Sequence, residues 1–271
     1  MRANGARFPE ISARRADRPL TRAREGSERP TLSPVIALPG PAAPLPHAPP
    51  ALVARLRATE RTLGAAIDRW DTTQPPPAAV TRLAVREQGL IRYAAATRAR
   101  AAAVARLDPA AADDVRARRD LTALAARSPA PRGRIRIRKP APAAALLGWY
   151  REAQARFGIR WQLLAAINFV ETAFGKVRNV SGAGARGPMQ FEPATWRAYG
   201  LGGNVEDPHD AILGAANYLA ANRGATDARA ALYHYNRSSL YVDAVIRYAR
   251  RIRSDPHAFF AYYNWRVYVR R

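Results

Sequence analysis

Asn168, Glu171 and Thr172 stand at i, i+3 and i+4 in W-Q-L-L-A-A-I-N-F-V-E-T-A-F, residues 161–174. On a helix they share one face. From Leu163 to Phe174 every other residue is apolar, and a helix apolar all round is a buried helix. A carboxyl near the C-terminal end of such a helix loses hydration and meets the negative end of the helix dipole, and both effects raise its pKa. A raised carboxyl pKa is what a general acid needs near neutral pH. The competing reading is a structural Glu171, paired with an arginine or exposed at the helix end.

Two further stretches could build a site around that carboxyl. S-G-A-G-A-R-G-P-M-Q-F, residues 181–191, follows ten residues on. Its small residues let the backbone approach a ligand, with Gly187, Met189, Gln190 and Phe191 as one wall; otherwise it is a plain glycine-rich turn. A-L-Y-H-Y-N-R-S-S-L-Y, residues 231–241, supplies Tyr235, Asn236 and Tyr241. Tyrosine faces and amides suit sugars, which need both stacking and hydrogen bonds; the alternative is packing tyrosines. Ordinary glycosidases use two carboxylates at a set separation. Here Glu192 precedes Pro193 and reads as a helix-start charge, and Glu206, Asp207 and Asp210 read as caps, so no second catalytic acid stands out. His47, His209, His234 and His257 are scattered, none with acids at metal-ligand spacing. No metal and no cofactor is expected. Neither a phosphate-binding loop nor a nucleophile-elbow pattern occurs.

The elements that must position these residues are helices. Leu52, Leu56, Leu63, Ile67 and Trp70 recur at helical spacing over 51–70. A second periodic stretch covers 78–106, broken by Leu107-Asp108-Pro109, and a third helix is expected over 110–127. Residues 143–157 predict an amphipathic helix ended by Gly158, and 161–174 the apolar helix, with Gly175 as its C-cap. Pro193 opens a short helix to Tyr199. Asp207-Pro208-His209-Asp210 reads as an N-cap, a first-turn proline and an early acid, opening a helix to about Arg223. Thr226 is expected to cap the next helix, to Tyr235. Ser238 or Ser239 starts the last long one, with Tyr241, Val245, Tyr248 and Ile252 on one face. No strand is expected; I-R-I-R at 135–138 is short and charged. The fold class is all-α: a helical main domain preceded by a smaller helical region. The chain divides into a disordered Arg/Pro-rich leader or linker at 1–50, a helical accessory region at 51–128, a basic Pro-rich connector at 129–142 and the main domain at 143–271. The aromatic tail from Phe259 to Tyr268 reads as core cover.

Composition narrows the setting. The 271 residues carry a formal charge of +23, and 42 of the 44 basic residues are arginine. Residues 1–141 hold 27 basic and 12 acidic groups, against 17 and 9 in 142–271. Such a balance reflects either an arginine-rich composition alone or attraction to an anionic polymer: nucleic acid, an envelope glycan or a membrane surface. There is no cysteine, hence no disulfide or thiolate metal site. No apolar run is long enough to span a membrane. Residues 31–48 contain five prolines and no clean hydrophobic core of a signal peptide.

Together, E-T-A-F-G, G-A-R-G-P-M-Q-F-E-P-A-T-W and Y-N followed by Y-V-x-x-V resemble the lytic transglycosylase family and its lysozyme-like relatives. D-P-H-D-A-I-L-G-A-A-N-Y-L-A and Y-Y-N-W-R-V-Y-V add to the likeness, which covers roughly residues 143–271. The resemblance implies that Glu171 is the single acid protonating the oxygen between N-acetylmuramic acid and N-acetylglucosamine. The same carboxylate then acts as base on the muramoyl C6 hydroxyl, giving a 1,6-anhydro product without water. It further implies that Thr172, Gly187, Met189, Gln190, Phe191, Tyr235, Asn236 and Tyr241 line or support the glycan groove. Thr172 stands where the family usually has Ser, and Arg237-Ser238 replaces a small or Gly-containing turn. The implied partner is peptidoglycan, with anionic cell-envelope polymers a further one; no clear nucleic-acid motif is present, and a monomer outside the cytoplasm is expected. A hydrolytic muramidase and a non-catalytic basic envelope or nucleic-acid-binding protein are the alternatives.

Overall fold

The computed structural model describes residues 45–128, 135–178, 181 and 184–267. The expectations for the leader up to residue 44, and for Tyr268, lie outside the described residues, as does part of the connector. Eleven helices and two two-residue strands make up the described chain, so the all-α class holds.

The first helices are set by prolines and caps. α1 (Pro49–Ile67) begins with proline at its first turn, and α2 is Ala78–Ala95. The single periodic stretch expected over 78–106 is in fact two helices. Thr97 accepts the Arg100 N–H and starts α3 (Arg98–Leu107), so a threonine cap interrupts an otherwise continuous pattern. α4 (Pro109–Arg127) starts one residue earlier than expected, because Asp108 caps it through the Ala111 N–H with Pro109 at the first helical position. Asp108 also holds Arg57 of α1 at 2.7 Å. After the connector comes β1 (Arg136–Ile137), then α5 (Ala143–Phe157), which stops at left-handed Gly158.

α6 (Trp161–Thr172) is the apolar helix, buried along Leu163–Ile167. It ends two residues before the expected Phe174. Ala173, Phe174 and Gly175 all take positive φ (50°, 66° and 77°), and the Thr172 hydroxyl accepts the Gly175 N–H at 2.9 Å. A left-handed non-glycine residue costs roughly 1–2 kcal/mol. Burial of Phe174, stacked against Phe169 at 5.5 Å, offsets that cost. The chain then forms β2 (Val177–Arg178), antiparallel to β1 with Ile137 opposite Val177. No strand was expected here. The pairing is a minimal bridge in which exposed side chains and charge do not matter, because only the backbone edges meet: Arg138 N–H donates to Lys176 C=O at 2.9 Å.

α7 (Pro193–Tyr199), α8 (Pro208–Ala221), α9 (Ala228–Tyr235), α10 (Ser239–Ser254) and α11 (His257–Asn264) complete the chain. Asp207 caps α8 as expected, but the helix ends before Arg223, where Gly224 N–H turns back to Leu219 C=O at 2.7 Å. Asp227, not Thr226, caps α9. Its carboxylate takes the Ala230 N–H, whereas the Thr226 hydroxyl is spent on Arg223 C=O. Ser238 caps α10.

α10 lies between α4 on one side and α6 on the other, while α5 covers α6 and α8. Tyr241, Val245, Tyr248 and Ile252 are buried along α10. Leucines of α1, α2 and α4 belong to the same apolar core as α6 and α10. Phe259, Tyr262, Tyr263 and Trp265 close that core. Lys176 fastens this tail by donating to the carbonyls of Tyr263 and Trp265, the latter at 2.8 Å. Burial pushes its ammonium down to about 8.

One buried polar cluster crosses the same core. Arg251 of α10 meets Glu60 of α1 at 2.9 Å, Asp255 at 3.0 Å and Asp114 of α4 at 3.4 Å. Tyr262 of α11 donates to Asp114, and Trp265 donates to the buried Glu87 of α2 at 3.0 Å. Burial pushes Asp114 up to about 7, with Arg251 and Tyr262 pulling the other way. Burial likewise pushes Glu87 up to about 8.

Candidate active site

Glu171 sits on the last turn of α6 and is 5% exposed. Its Oε1 accepts the Tyr241 hydroxyl at 2.7 Å. Burial pushes the carboxyl up to about 7, and the Tyr241 hydrogen bond pulls weakly in the opposite direction. No charged side chain takes part in that shift, and Glu171 makes no ion pair among the described residues. An arginine partner is thereby ruled out for the described part of the chain, and so is an exposed helix-end carboxylate.

Asn168, one turn earlier, anchors the opposite wall. It accepts the Tyr150 hydroxyl at 3.0 Å and donates to Pro188 C=O at 3.0 Å, with its amide also against the Met189 sulfur. Thr172 donates to the same Pro188 carbonyl at 2.6 Å. The shared face of Asn168, Glu171 and Thr172 therefore does two jobs: two residues clamp the loop and one carries the acid.

The loop is arranged by that clamp. Met189 is fully buried, so its thioether lies under the wall rather than on it. Its carbonyl accepts the Tyr235 hydroxyl at 2.5 Å. Gln190 takes a positive φ of 52°, and its side-chain amide donates to Gly187 C=O at 2.9 Å. Phe191 pairs with Arg186 across the loop and stacks edge-on with Trp196 and Tyr235, at 5.1 and 6.0 Å. Tyr235 also meets Tyr218 edge-on at 5.6 Å, and its phenol is pushed well up by burial and by Glu171. The Asn236 side-chain oxygen is sealed from water and has no hydrogen-bond partner. An unpaired buried acceptor is costly. Tyr241 is fully buried.

Gly187 is where the loop is least forgiving. Its φ is +73°, and a Cβ built there would lie 1.8 Å from the Val205 carbonyl oxygen. Gly187→Ala must displace the backbone, so it should cost at least about 2 kcal/mol of stability. A thermal melt checks this; an unchanged melting temperature would contradict this packing.

Sequence reasoning brought Glu171, Tyr235, Asn236, Tyr241 and the 187–191 loop together, and the structure places them in one neighbourhood. It missed the positioning roles of Asn168, Tyr150 and Tyr218. Asn168 had a visible signal, a lone amide in an apolar helix; Tyr150 and Tyr218 had none beyond being aromatic. It also missed that Asp207, His209 and Asp210 gather, with potential ligand atoms within 4.8 Å of one another. Their atoms have other work: Asp207 caps α8, Asp210 accepts Asn204 N–H, and His209 bonds Glu152.

This arrangement, a buried lone acid between a tyrosine-backed helix and a glycine-rich loop, sits within a segment that a known family accounts for. Residues 149–256 match the transglycosylase SLT domain. Among curated relatives, 130 residues are 31% identical to Membrane-bound lytic murein transglycosylase F of Thiobacillus denitrificans, covering 45% of this chain and 27% of the relative. A further 127 residues' alignment is 32% identical to Membrane-bound lytic murein transglycosylase F 1 of Alkalilimnicola ehrlichii, covering 44% and 24%. The chain thus spans about a quarter of the length of these relatives. No solved structure matches. No helix among the described residues is long and apolar enough to cross a membrane.

Proposed function

We propose that this chain is a lytic transglycosylase that cuts the β-1,4 bond between N-acetylmuramic acid and N-acetylglucosamine in peptidoglycan, outside the cytoplasm. The single observation that carries the reading is the environment of Glu171: one carboxyl, buried, raised to about 7, and held by Tyr241 without any charged neighbour. Such a group is protonated often enough near neutral pH to donate to a glycosidic oxygen. As the C1–O bond breaks, the proton moves to the leaving oxygen and Glu171 is left as a carboxylate. That carboxylate takes the proton of the muramoyl C6 hydroxyl while the C6 oxygen bonds to C1. The acid is regenerated and the product is a 1,6-anhydro sugar; no water is consumed.

Hydrolysis needs a base for water, and Glu206, Asp207 and Asp210 are engaged by Arg178, the His209 N–H and the Asn204 N–H, which favours the intramolecular route. Tyr241 orients the acid. Tyr235 and Gln190 offer stacking and hydrogen bonds to the sugars, Asn236 stands beside Tyr235, and Gly187, Met189, Thr172 and Phe191, expected on the wall but buried beneath it, hold the loop in shape. Residues 143–271 would form the catalytic domain, with 51–128 an accessory region. Mass spectrometry of digested sacculi decides the chemistry: fragments lighter by one water mark the anhydro route, and reducing ends mark a muramidase.

The pH dependence follows from the same carboxyl. Activity needs its protonated form, so the rate should fall as pH rises through about 7. Tyr241→Phe removes the hydrogen bond that lowers the pKa, so its falling limb should shift to higher pH while the maximal rate drops about tenfold or more as orientation is lost. A pH–rate profile checks this; a limb that stays put separates Tyr241 from the acid.

A further inference from the structure

A cavity of about 350 Å³ opens at the other end of α6 from Glu171. Three arginines line it: Arg160 just before α6, and Arg250 and Arg253 on the last turns of α10. Arg250 is shared with Asp113 at 3.4 Å, whereas Arg160 and Arg253 make no ion pair among the described residues. The floor is apolar, formed by Leu163, Ile246 and Ala249. Thr226 and Gln162 add polar groups at its edge, and α6 begins there, its Trp161 N–H taken by the Gln154 side chain at 2.7 Å. The mechanism uses none of these residues.

We infer that this cavity is a second binding site, taking the carboxylate-bearing peptide of peptidoglycan while the glycan occupies the groove at Glu171. The choice of peptide rests on the function proposed above; the choice of an anion with small apolar side chains does not. Arginine forks grip carboxylates through paired hydrogen bonds, and the positive end of the α6 dipole adds favourable potential for negative charge. The apolar floor separates this site from a bare phosphate site: it offers burial to methyl groups such as those of alanine, and nothing to a phosphate polymer. The volume falls within the range of small-ligand pockets. From Gln162 to Glu171 is nine residues of helix, about 14 Å at 1.5 Å per residue. A five-residue peptide spans up to about 17 Å, so a strand lying past Glu171 can present the peptide of one of its sugars, or of its neighbour, to the cavity.

Calorimetric titration of the full chain with the glycan-free peptide cut from peptidoglycan tests the site, alongside inorganic phosphate and the same peptide with its carboxylates amidated. The comparison protein is R160A/R253A; both side chains are exposed, and its thermal melt should match the parent. We expect the double substitution and the amidation each to weaken peptide binding at least tenfold, with phosphate a poor competitor. Unchanged binding by R160A/R253A overturns the site, and phosphate displacing the peptide as well as peptide does overturns its ligand. Cleavage of peptide-free glycan is measured in parallel. If the parent fails to cleave it, the proposed function fails while the titration still reads the cavity. If R160A/R253A cleaves it normally yet binds peptide weakly, the two sites are separate, as inferred.

Discussion

Glu171→Gln should reduce release of soluble fragments from sacculi by about 10²–10⁴-fold, the usual contribution of a positioned acid–base group. In free energy this is about 3–5 kcal/mol off the transition state, at about 1.4 kcal/mol per tenfold. The fold should survive. Gln matches Glu in shape, its carbonyl oxygen can still accept the Tyr241 hydroxyl, and a neutral amide escapes the cost that burial imposes on the ionised carboxyl. A melting temperature equal to or slightly above the parent's, together with lost turnover, is the expected pair of results. Retained turnover would move the acid elsewhere and end the present assignment. Lost turnover with a collapsed melt would leave only a structural role for Glu171.

The second large effect is on stability. Arg251→Met should cost about 3–5 kcal/mol, because removing one partner of a buried ion cluster strands the others. The stranded groups are Asp114 and Glu60, on helices from the N-terminal part of the chain. The sign of the pH dependence is fixed by their direction of shift. Burial raises both carboxyls, Asp114 to about 7, and losing the cation raises them further. A group whose pKa is higher in the folded state supports the fold below its unfolded value and ceases to do so as pH rises through the folded one. The variant should therefore lose less stability at pH 5.5 than at pH 8, since at the lower pH the stranded Asp114 is already largely neutral. Chemical denaturation at the two pH values measures this. A loss under 1 kcal/mol at both would mean that Arg251 is not the keystone of the cluster.

Much of this was legible in the residues. Glu171 stood out because an acid in a wholly apolar helix conflicts with burial, and such conflicts gather at functional sites. Caps built from single side chains were readable too: Asp207-Pro208, Ser238 and Gly158 fell where their chemistry places them. The break at Thr97 was not, because Ala-rich sequence on both sides keeps helical periodicity through the interruption. Nor was the early end of α6, since three left-handed residues in a row are stable only through contacts that Thr172 and Phe174 make with distant parts of the chain. The Asp227 cap was missed for a smaller reason: two adjacent residues could both cap, and the hydroxyl of Thr226 found a nearer carbonyl. The Arg251 cluster was illegible altogether. Its members come from positions 60, 114, 251 and 255, and no local pattern announces that they meet.

One helix carries both of these effects. α10 presents Tyr241 to the acid near its start and Arg251 to the N-terminal helices ten residues on, a separation of about 15 Å along its axis. A short helix packed on both flanks behaves as a strut: it transmits a push by sliding, not by bending. Force or strain applied to the front third of the polypeptide therefore arrives at the tyrosine as a displacement of the whole rod. The helices preceding the SLT segment are in this sense part of the mount that holds Glu171 to its aim.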